Sequence, residues 1–365
     1  MNFYFYMVVR GIILSVSLPD SIMMSDDHQS DYFGEDILPS IPEGTPTVVA
    51  SGKPLKDEIA EEKNTESAQE SYREELSDDK KVPKKERKTS NLSSGSVSDA
   101  IKGMLSFFTI FRLNVGEREI KTMEKKFCLV PIIGFIIGFI VAIFALILFE
   151  LGCTSLLGAA LVLATIFIIT KFLHFDGLTD FGDGMIATGD REKHIRALKD
   201  TNIGAGGFGV AFIVTLISFA GLTEMGWMLV VLIWPIEVIV KNAMVSAAYF
   251  GEPGNGMAAD QVRNTTSDSM VMSVIFTLML AFIALSISSG LVYLFEDINY
   301  FTLHAMSIIS VAILVAIALS LIVGMFMART ANKTFGYVNG DILGATNEIA
   351  RAVIVVFSLI ICGTI

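Results

Sequence analysis

The chain has 365 residues, of which 52% are hydrophobic and only 18% are charged, against about a quarter charged in ordinary soluble domains. Its mean hydropathy of +0.60 indicates a membrane protein. The net charge of −11 argues against nucleic acid as a partner, because neutralising phosphates requires a cationic surface. With three cysteines and four histidines, neither a disulfide framework nor a zinc site is expected, so any metal should have oxygen ligands.

Residues 1–98 differ in composition from the rest of the chain. Residues 1–100 contain 19 acidic and 11 basic side chains, whereas residues 101–365 contain 19 and 16. From residue 19 onward this part has few aliphatic side chains, so it cannot bury enough apolar surface to offset its ordering entropy. We predict a disordered acidic extension over 1–98, either dispensable or regulatory, and a membrane-embedded transferase domain over 99–365. The apolar first seventeen residues predict neither a signal peptide nor a span.

Apolar stretches long enough to cross about 30 Å of hydrocarbon recur from residue 128 onward. They predict an all-α polytopic membrane helix bundle, preceded by an interfacial segment at residues 98–113. The seven predicted spans are 128–151, 154–173, 206–223, 227–249, 270–295, 303–327 and 349–365.

Charges beside the predicted spans are distributed unequally. Three short connections, around Glu150, Glu224 and Glu296, contain no Lys or Arg. The positive residues collect at the other ends of the spans: Lys121, Lys125, Lys126, those within 171–199, Lys241, Arg263, Arg329, Lys333 and Arg351. The positive-inside rule therefore predicts a cell-membrane protein whose N-terminus and three longer loops are cytoplasmic. Lys241 is interpreted as a lone polar residue at a span edge, and Glu237 as almost the only charge inside a span.

The densest polar sequence directly follows the second predicted span: His174-Phe-Asp176-Gly-Leu-Thr-Asp180-Phe-Gly-Asp183-Gly184. If the helix continues, Asp176, Asp180 and Asp183 lie at i, i+4 and i+7 and share one face. Like charges on one stripe repel one another, and a divalent cation among them relieves that repulsion. The pattern thus predicts a functional site, the alternative being a solvated acidic loop with helix-capping aspartates.

Three further segments suit phosphate or metal chemistry. Residues 190–200 predict an amphipathic basic helix that could bind either lipid headgroups or a diphosphate. The glycines of residues 201–209 open the next span and would leave N–H groups for a phosphate, although glycines also serve helix packing. In residues 339–348, Asp341 and Glu348 are seven apart, which predicts a second oxygen-rich face or, alternatively, an acidic helix cap.

Together these motifs make the chain from about Leu105 to Arg351 similar to the cobalamin synthase family, the adenosylcobinamide-GDP ribazoletransferases. The resemblance rests on Phe107-Phe-Thr109 with Arg112 before Pro131-Ile-Ile-Gly134, on the acidic motif, on residues 191–207 and on residues 340–348. The CDP-alcohol phosphotransferases are a weaker match, because Thr188 stands where their acidic pattern continues with Arg. A membrane transporter is the remaining alternative.

The resemblance implies an enzyme that joins adenosylcobinamide-GDP to α-ribazole or its 5′-phosphate and releases GMP. It implies that Asp176, Asp180 and Asp183 hold Mg²⁺ and that one of them or His174 accepts the hydroxyl proton. Expected partners are the corrinoid nucleotide, the ribazole and membrane lipid, while a homo-oligomer stays open. The predicted substrate-binding residues are Arg191, Arg196, Lys199, Asp200, Asn202, Gly204, Gly207, Asp341, Asn347 and Glu348.

Overall fold

The computed structural model describes residues 95–295 and 303–363. Within these ranges the regular structure is helical and includes no β-strand, only an isolated bridge between Pro253 and Val338. The chain is thus an all-α, multi-span membrane protein, as predicted. The expected disordered extension lies outside the described residues up to residue 94, as does the connection around Glu296.

Two short helices precede the first span. Helix α1 (Val97–Phe108) begins with a capping box, in which the Ser96 hydroxyl accepts from the Asp99 N–H and the Asp99 carboxylate accepts from the Ser96 N–H. Helix α2 (Glu117–Lys125) packs against it. Only the first part of the predicted interfacial segment is therefore helical.

Among the described residues, six helices are long and apolar enough to cross a membrane, and a bent pair of helices would make a seventh span. The six are α3 (Val130–Glu150), α7 (Ala205–Glu224), α8 (Met228–Phe250), α10 (Ser267–Phe295), α11 (Leu303–Thr334) and α12 (Gly340–Cys362). The bent pair is α4 (Ser155–Ile169) and α5 (Leu173–Ile186), and the remaining short helices are α6 (Arg191–Leu198) and α9 (Met257–Asn264).

The predicted span 154–173 is interrupted. Helix α4 ends at Ile169, and the chain turns by 90° before it continues as α5. Lys171 and Phe172 have φ angles of 55° and 57°, in the left-handed region that α-helices of L-residues avoid. The acidic motif therefore starts a new helix at an angle to the preceding one.

The last span begins nine residues earlier than the predicted range 349–365. Helix α12 starts at Gly340, because the Asn339 side chain caps it by accepting from the Ile342 N–H at 3.1 Å. Residues 340–348, predicted as a loop, are the first turns of this helix. Asp341 and Glu348 thus belong to one helix rather than to a connection.

Helix α8 lies at the centre of the bundle. All its residues from Leu229 to Ala248 are buried, and it packs against α3, α10, α11 and α12. A helix with no exposed face is expected only in such a central position. Helix α12 in turn packs against α5 and α7, so the central helix supports the elements that carry the site.

Candidate active site

The acidic motif forms the helix α5, and its three aspartates lie along one side of that helix, as predicted. Asp176 is exposed, whereas Asp180 and Asp183 are half-buried. Asp180 lies within electrostatic range of Asp176 and Asp183, and also of Asp341 at the start of α12. We call these four carboxylates the acidic cluster.

Glycines bring α5 close to the two helices that complete the cluster. A Cβ on Gly177 would stand 2.7 Å from the Asp341 carbonyl oxygen, and a Cβ on Gly182 would stand 3.0 Å from the Gly207 Cα. Both positions therefore lack room for a side chain, which is typical of close helix packing in membranes. Helix α5 thus lies directly against the first turns of α12 and α7.

The four carboxylates of the acidic cluster differ in their partners. Those of Asp176 and Asp180 make no hydrogen bond or ion pair with any described residue. The Asp341 carboxylate accepts from Asn339 Nδ2 at 2.7 Å. The Asp183 carboxylate accepts from the N–H groups of Gly204 and Gly207, both at 2.7 Å.

Asp183 therefore caps helix α7. Both of its oxygens bond the N–H groups that the sequence predicted to be available for a phosphate. A Cβ on Gly204 or Gly207 would overlap the Asp183 carboxylate, which explains why glycines are needed there. A phosphate could reach these N–H groups only by replacing the carboxylate, so the predicted role of the two glycines in substrate binding stays a prediction.

The predicted basic helix is α6, which is attached to the end of α5. Its N-terminus is capped by Asp190, and His194 Nδ1 lies 2.8 Å from the Gly184 carbonyl oxygen. The side chains predicted to bind phosphates, Arg191, Arg196 and Lys199, are exposed. Arg191 also donates from Nη2 to the Lys333 carbonyl oxygen at 3.3 Å, which places a guanidinium at the end of α11.

A second set of polar and charged side chains is enclosed between α5, α8 and α12. We call it the buried network, and its members are His174, Glu237, Lys241, Asn347, Glu348 and Arg351. Arg351 donates from Nε to one Glu237 oxygen at 2.8 Å and from Nη2 to the other at 3.2 Å, and it also pairs with Glu348. Two cations and two anions thus balance in the interior.

Asn347 joins the remaining members of the buried network. It donates from Nδ2 to Glu348 at 3.0 Å and accepts from Lys241 Nζ at 2.8 Å. Lys241 is fully buried in the middle of α8, so its interpretation as a span-edge residue is wrong. The interior accommodates its charge because Asn347 accepts from it and two carboxylates lie nearby.

Three predicted site residues belong to this network rather than to the acidic cluster. Asn347 and Glu348 are 0% and 4% exposed, and their observed partners are protein side chains. His174 is 1% exposed, with its Nε2 3.5 Å from Lys241 Nζ and its ring stacked on Phe108. Direct contact of these three residues with a substrate is untested and stays a prediction.

Tyr337, between α11 and α12, is a candidate site residue that the sequence analysis did not identify. Its hydroxyl is buried without a hydrogen-bond partner among the described residues. Burial and the charge of Asp341 raise the pKa of its phenol. In the sequence, Tyr337 stands four residues before Asp341. Its closeness to the acidic cluster is recognisable only in the folded chain.

The described residues include no group of three or more His, Cys, Asp or Glu side chains already arranged to hold a metal ion. The donor chemistry of the acidic cluster nevertheless fits Mg²⁺, which prefers carboxylate oxygens. Two of the four carboxylates have no partner among the described residues, and three of the four, all except Asp176, are half-buried. The residues present are thus compatible with a magnesium ion.

Comparison with known proteins identifies the family of the chain. The adenosylcobinamide-GDP ribazoletransferase of Methanocella arvoryzae is 29% identical over 268 residues, which cover 70% of this chain and 94% of that relative. The same-named protein of Methanococcoides burtonii is 25% identical, with 70% and 89% covered, and that of Clostridium perfringens is 28% identical, with 67% and 91% covered. No solved structure matches the chain. A model of the family described as cobalamin-5-phosphate synthase matches residues 100–359, a range that contains the acidic cluster and the buried network, and the chain belongs to that family.

Proposed function

We propose that the chain joins adenosylcobinamide-GDP to α-ribazole or its 5′-phosphate and releases GMP, a late step of cobalamin biosynthesis. The observation that carries this proposal is the acidic cluster on α5 and α12, with the exposed basic helix α6 beside it, inside the part of the chain that matches the family. The relatives that bear the corresponding name support the choice of substrates.

Asp176, Asp180 and Asp183 would hold a Mg²⁺ ion, and Asp341, whose charge acts on Asp180, would add negative charge beside it. A bound Mg²⁺ supplies neutralisation of the charge on the phosphoryl oxygens and the leaving group. Each Asp183 oxygen accepts one N–H and keeps acceptor capacity for a further ligand, so the cap on α7 and a metal contact are compatible.

The chemistry is an in-line displacement at the phosphorus attached to adenosylcobinamide. A ribose hydroxyl of the acceptor forms the new P–O bond, the P–O bond to GMP breaks, and GMP leaves with the electron pair. Asp180 is the candidate to accept the hydroxyl proton, because its carboxylate is half-buried and has no partner among the described residues. His174 is the weaker candidate, since it is enclosed beside the Lys241 ammonium.

Exposed cations next to the acidic cluster would bind the nucleotide phosphates. Arg191, Arg196 and Lys199 lie on α6 or directly after it, and guanidinium groups bind phosphate through paired hydrogen bonds. Their charge would also offset repulsion between the substrate diphosphate and the carboxylates. Phosphate binding by these side chains differs from contact with lipid headgroups, because only phosphate binding depends on the presence of the nucleotide.

We further propose that the site faces the cytoplasm in the cell membrane. Hydrogen bonds place the last residues of α8 and of α11 at the same end of the bundle, which supports one common side for the connections that follow them. Asn332 Nδ2 donates to the Phe250 carbonyl oxygen, and the Glu252 N–H donates to Asn332. Cysteines placed at positions 190, 263 and 339 should be labelled only after permeabilisation of sealed cells. Labelling of position 190 from outside would overturn this orientation.

The proposed reaction is tested with the purified full chain in detergent. GMP should appear only when adenosylcobinamide-GDP, a ribazole acceptor and Mg²⁺ are all present, and it should appear in equal amount to the cobalamin product. Chelation of the metal should stop both. Absence of GMP with either acceptor would refute the proposed activity.

A further inference from the structure

A cleft beside the acidic cluster has no role in the chemistry described above. It lies between the end of α5, the last turn of α6 and the start of α7, with a volume of about 340 Å³. That volume is within the range of small-molecule sites. Asp183 lines it, so a ligand in this cleft would extend directly to the acidic cluster.

The walls of this cleft combine apolar and hydrogen-bonding surface. Ile186 and Ala197 supply apolar contact, whereas Asp200 and Asn202 supply polar groups. A cleft that combines apolar contact with a few polar groups is typical of a small-molecule site. The cleft is also adjacent to the exposed cations of α6, which would accompany the phosphates of a nucleotide.

Asp200 presents a fixed, open carboxylate oxygen. Its Oδ1 accepts from the backbone N–H of Asn202 at 2.9 Å and from Asn202 Nδ2 at 3.0 Å, while its Oδ2 has no partner among the described residues. These hydrogen bonds hold the pKa of the Asp200 carboxyl below its usual range, so it is ionised at neutral pH. An ionised carboxylate is an acceptor only, and the two lone pairs of the open Oδ2 can accept from two neighbouring N–H donors.

We propose that this cleft binds the guanine base of the nucleotide, with Asp200 accepting hydrogen bonds from the N1–H and N2–H groups of the base. Guanine presents these two donors side by side, whereas adenine presents an acceptor at N1 that a carboxylate repels. The inference rests on the proposed function, since it assigns one part of that substrate to one part of the site. With the base in the cleft, the diphosphate lies toward Asp183 and the metal ligands.

The test is calorimetric binding of GMP, IMP and AMP to the full chain in detergent with Mg²⁺. IMP lacks the N2 amine and AMP lacks both donors, so GMP should bind about 5- to 150-fold more tightly than AMP, with IMP between them. Asp200→Asn should abolish this preference, because an amide offers one donor and one acceptor and thus complements adenine. Glu192→Gln, on the exposed side of α6, is the matched control and should keep the preference.

An unchanged ratio of GMP to AMP affinity in Asp200→Asn would overturn the assignment. An equal weakening of both nucleotides counts as this result, because the ratio is then unchanged. The GMP-release assay separates the two proposals. If the wild-type chain forms cobalamin while the ratio is insensitive to Asp200, only the guanine site is wrong; if the ratio responds but no GMP is released, only the reaction is wrong.

Discussion

The acidic cluster and the buried network contain similar side chains in opposite arrangements. In the acidic cluster, four carboxylates of like charge lie together, and two of them have no partner among the described residues. In the buried network, Glu237 and Glu348 both pair with Arg351, and Lys241 bonds Asn347. One arrangement lacks counter-charges and the other is neutral.

This difference indicates which charges serve chemistry and which serve structure. Unpaired like charges in a half-buried place raise the free energy unless a cation or ligand binds among them. Paired charges that satisfy each other hold helices together and need no ligand. The charged side chains of the buried network, which lie inside the spans, bond one another or Asn347. This pairing favours an enzyme over a transporter.

The largest expected effect is a loss of stability when the charge pairing of the buried network is broken. Arg351→Met would leave Glu237 and Glu348 buried without their cation, so the free energy of unfolding should fall by about 3–5 kcal/mol. Thermal unfolding of the detergent-solubilised chain measures this loss. A double variant with Glu237→Gln should lose less than the sum of the single losses, because the two residues interact directly. Strictly additive losses would contradict the pairing.

Asp180→Asn should affect turnover and leave stability unchanged. It removes one charge from a cluster of like charges, so the fold should persist while loss of a metal ligand or base lowers the rate by at least 10- to 100-fold. Asp183→Asn should lower the rate similarly, with an added effect on the α7 cap. Asp260→Asn, whose carboxylate pairs with Arg263 at the surface, is the control and should keep wild-type turnover.

A smaller effect is expected at the contact between α5 and α7. In Gly207→Ala the new methyl group would overlap the Asp183 carboxylate and disturb the cap, which should cost about 0.5–2 kcal/mol. Gly209→Ala is the matched control, because nothing lies within 4 Å of its added Cβ. Equal unfolding temperatures of the two variants would show that Asp183 does not support α7.

The smallest effect is expected from the N-terminal extension. Deletion of residues 19–95 should change insertion and turnover by no more than a few-fold, because the composition of this segment opposes a packed core and the family match begins at residue 100. A truncated chain that inserts correctly but has lost activity would assign the extension a role.

The parts of the site that the sequence predicted are the local ones. The stripe of Asp176, Asp180 and Asp183 follows from helical spacing, and the basic helix follows from its amphipathic pattern of charges. The buried network was missed because its bonds join residues far apart, such as Glu237 and Arg351, 114 positions away. A hint existed in the spacing of Glu237 and Lys241 by one helical turn inside a span, which is difficult to accommodate unless both side chains find partners.

The proposed role of the acidic cluster depends most directly on its binding of a divalent metal ion. Binding of Mn²⁺, as a paramagnetic substitute for Mg²⁺, should be measured by electron paramagnetic resonance on the wild-type chain, Asp180→Asn and Glu237→Gln. Asp180→Asn should weaken Mn²⁺ binding by about 10- to 100-fold, whereas folded Glu237→Gln should bind Mn²⁺ as the wild type does. Equal Mn²⁺ binding by the wild type and Asp180→Asn would contradict the claim that the unpaired carboxylates form the metal site.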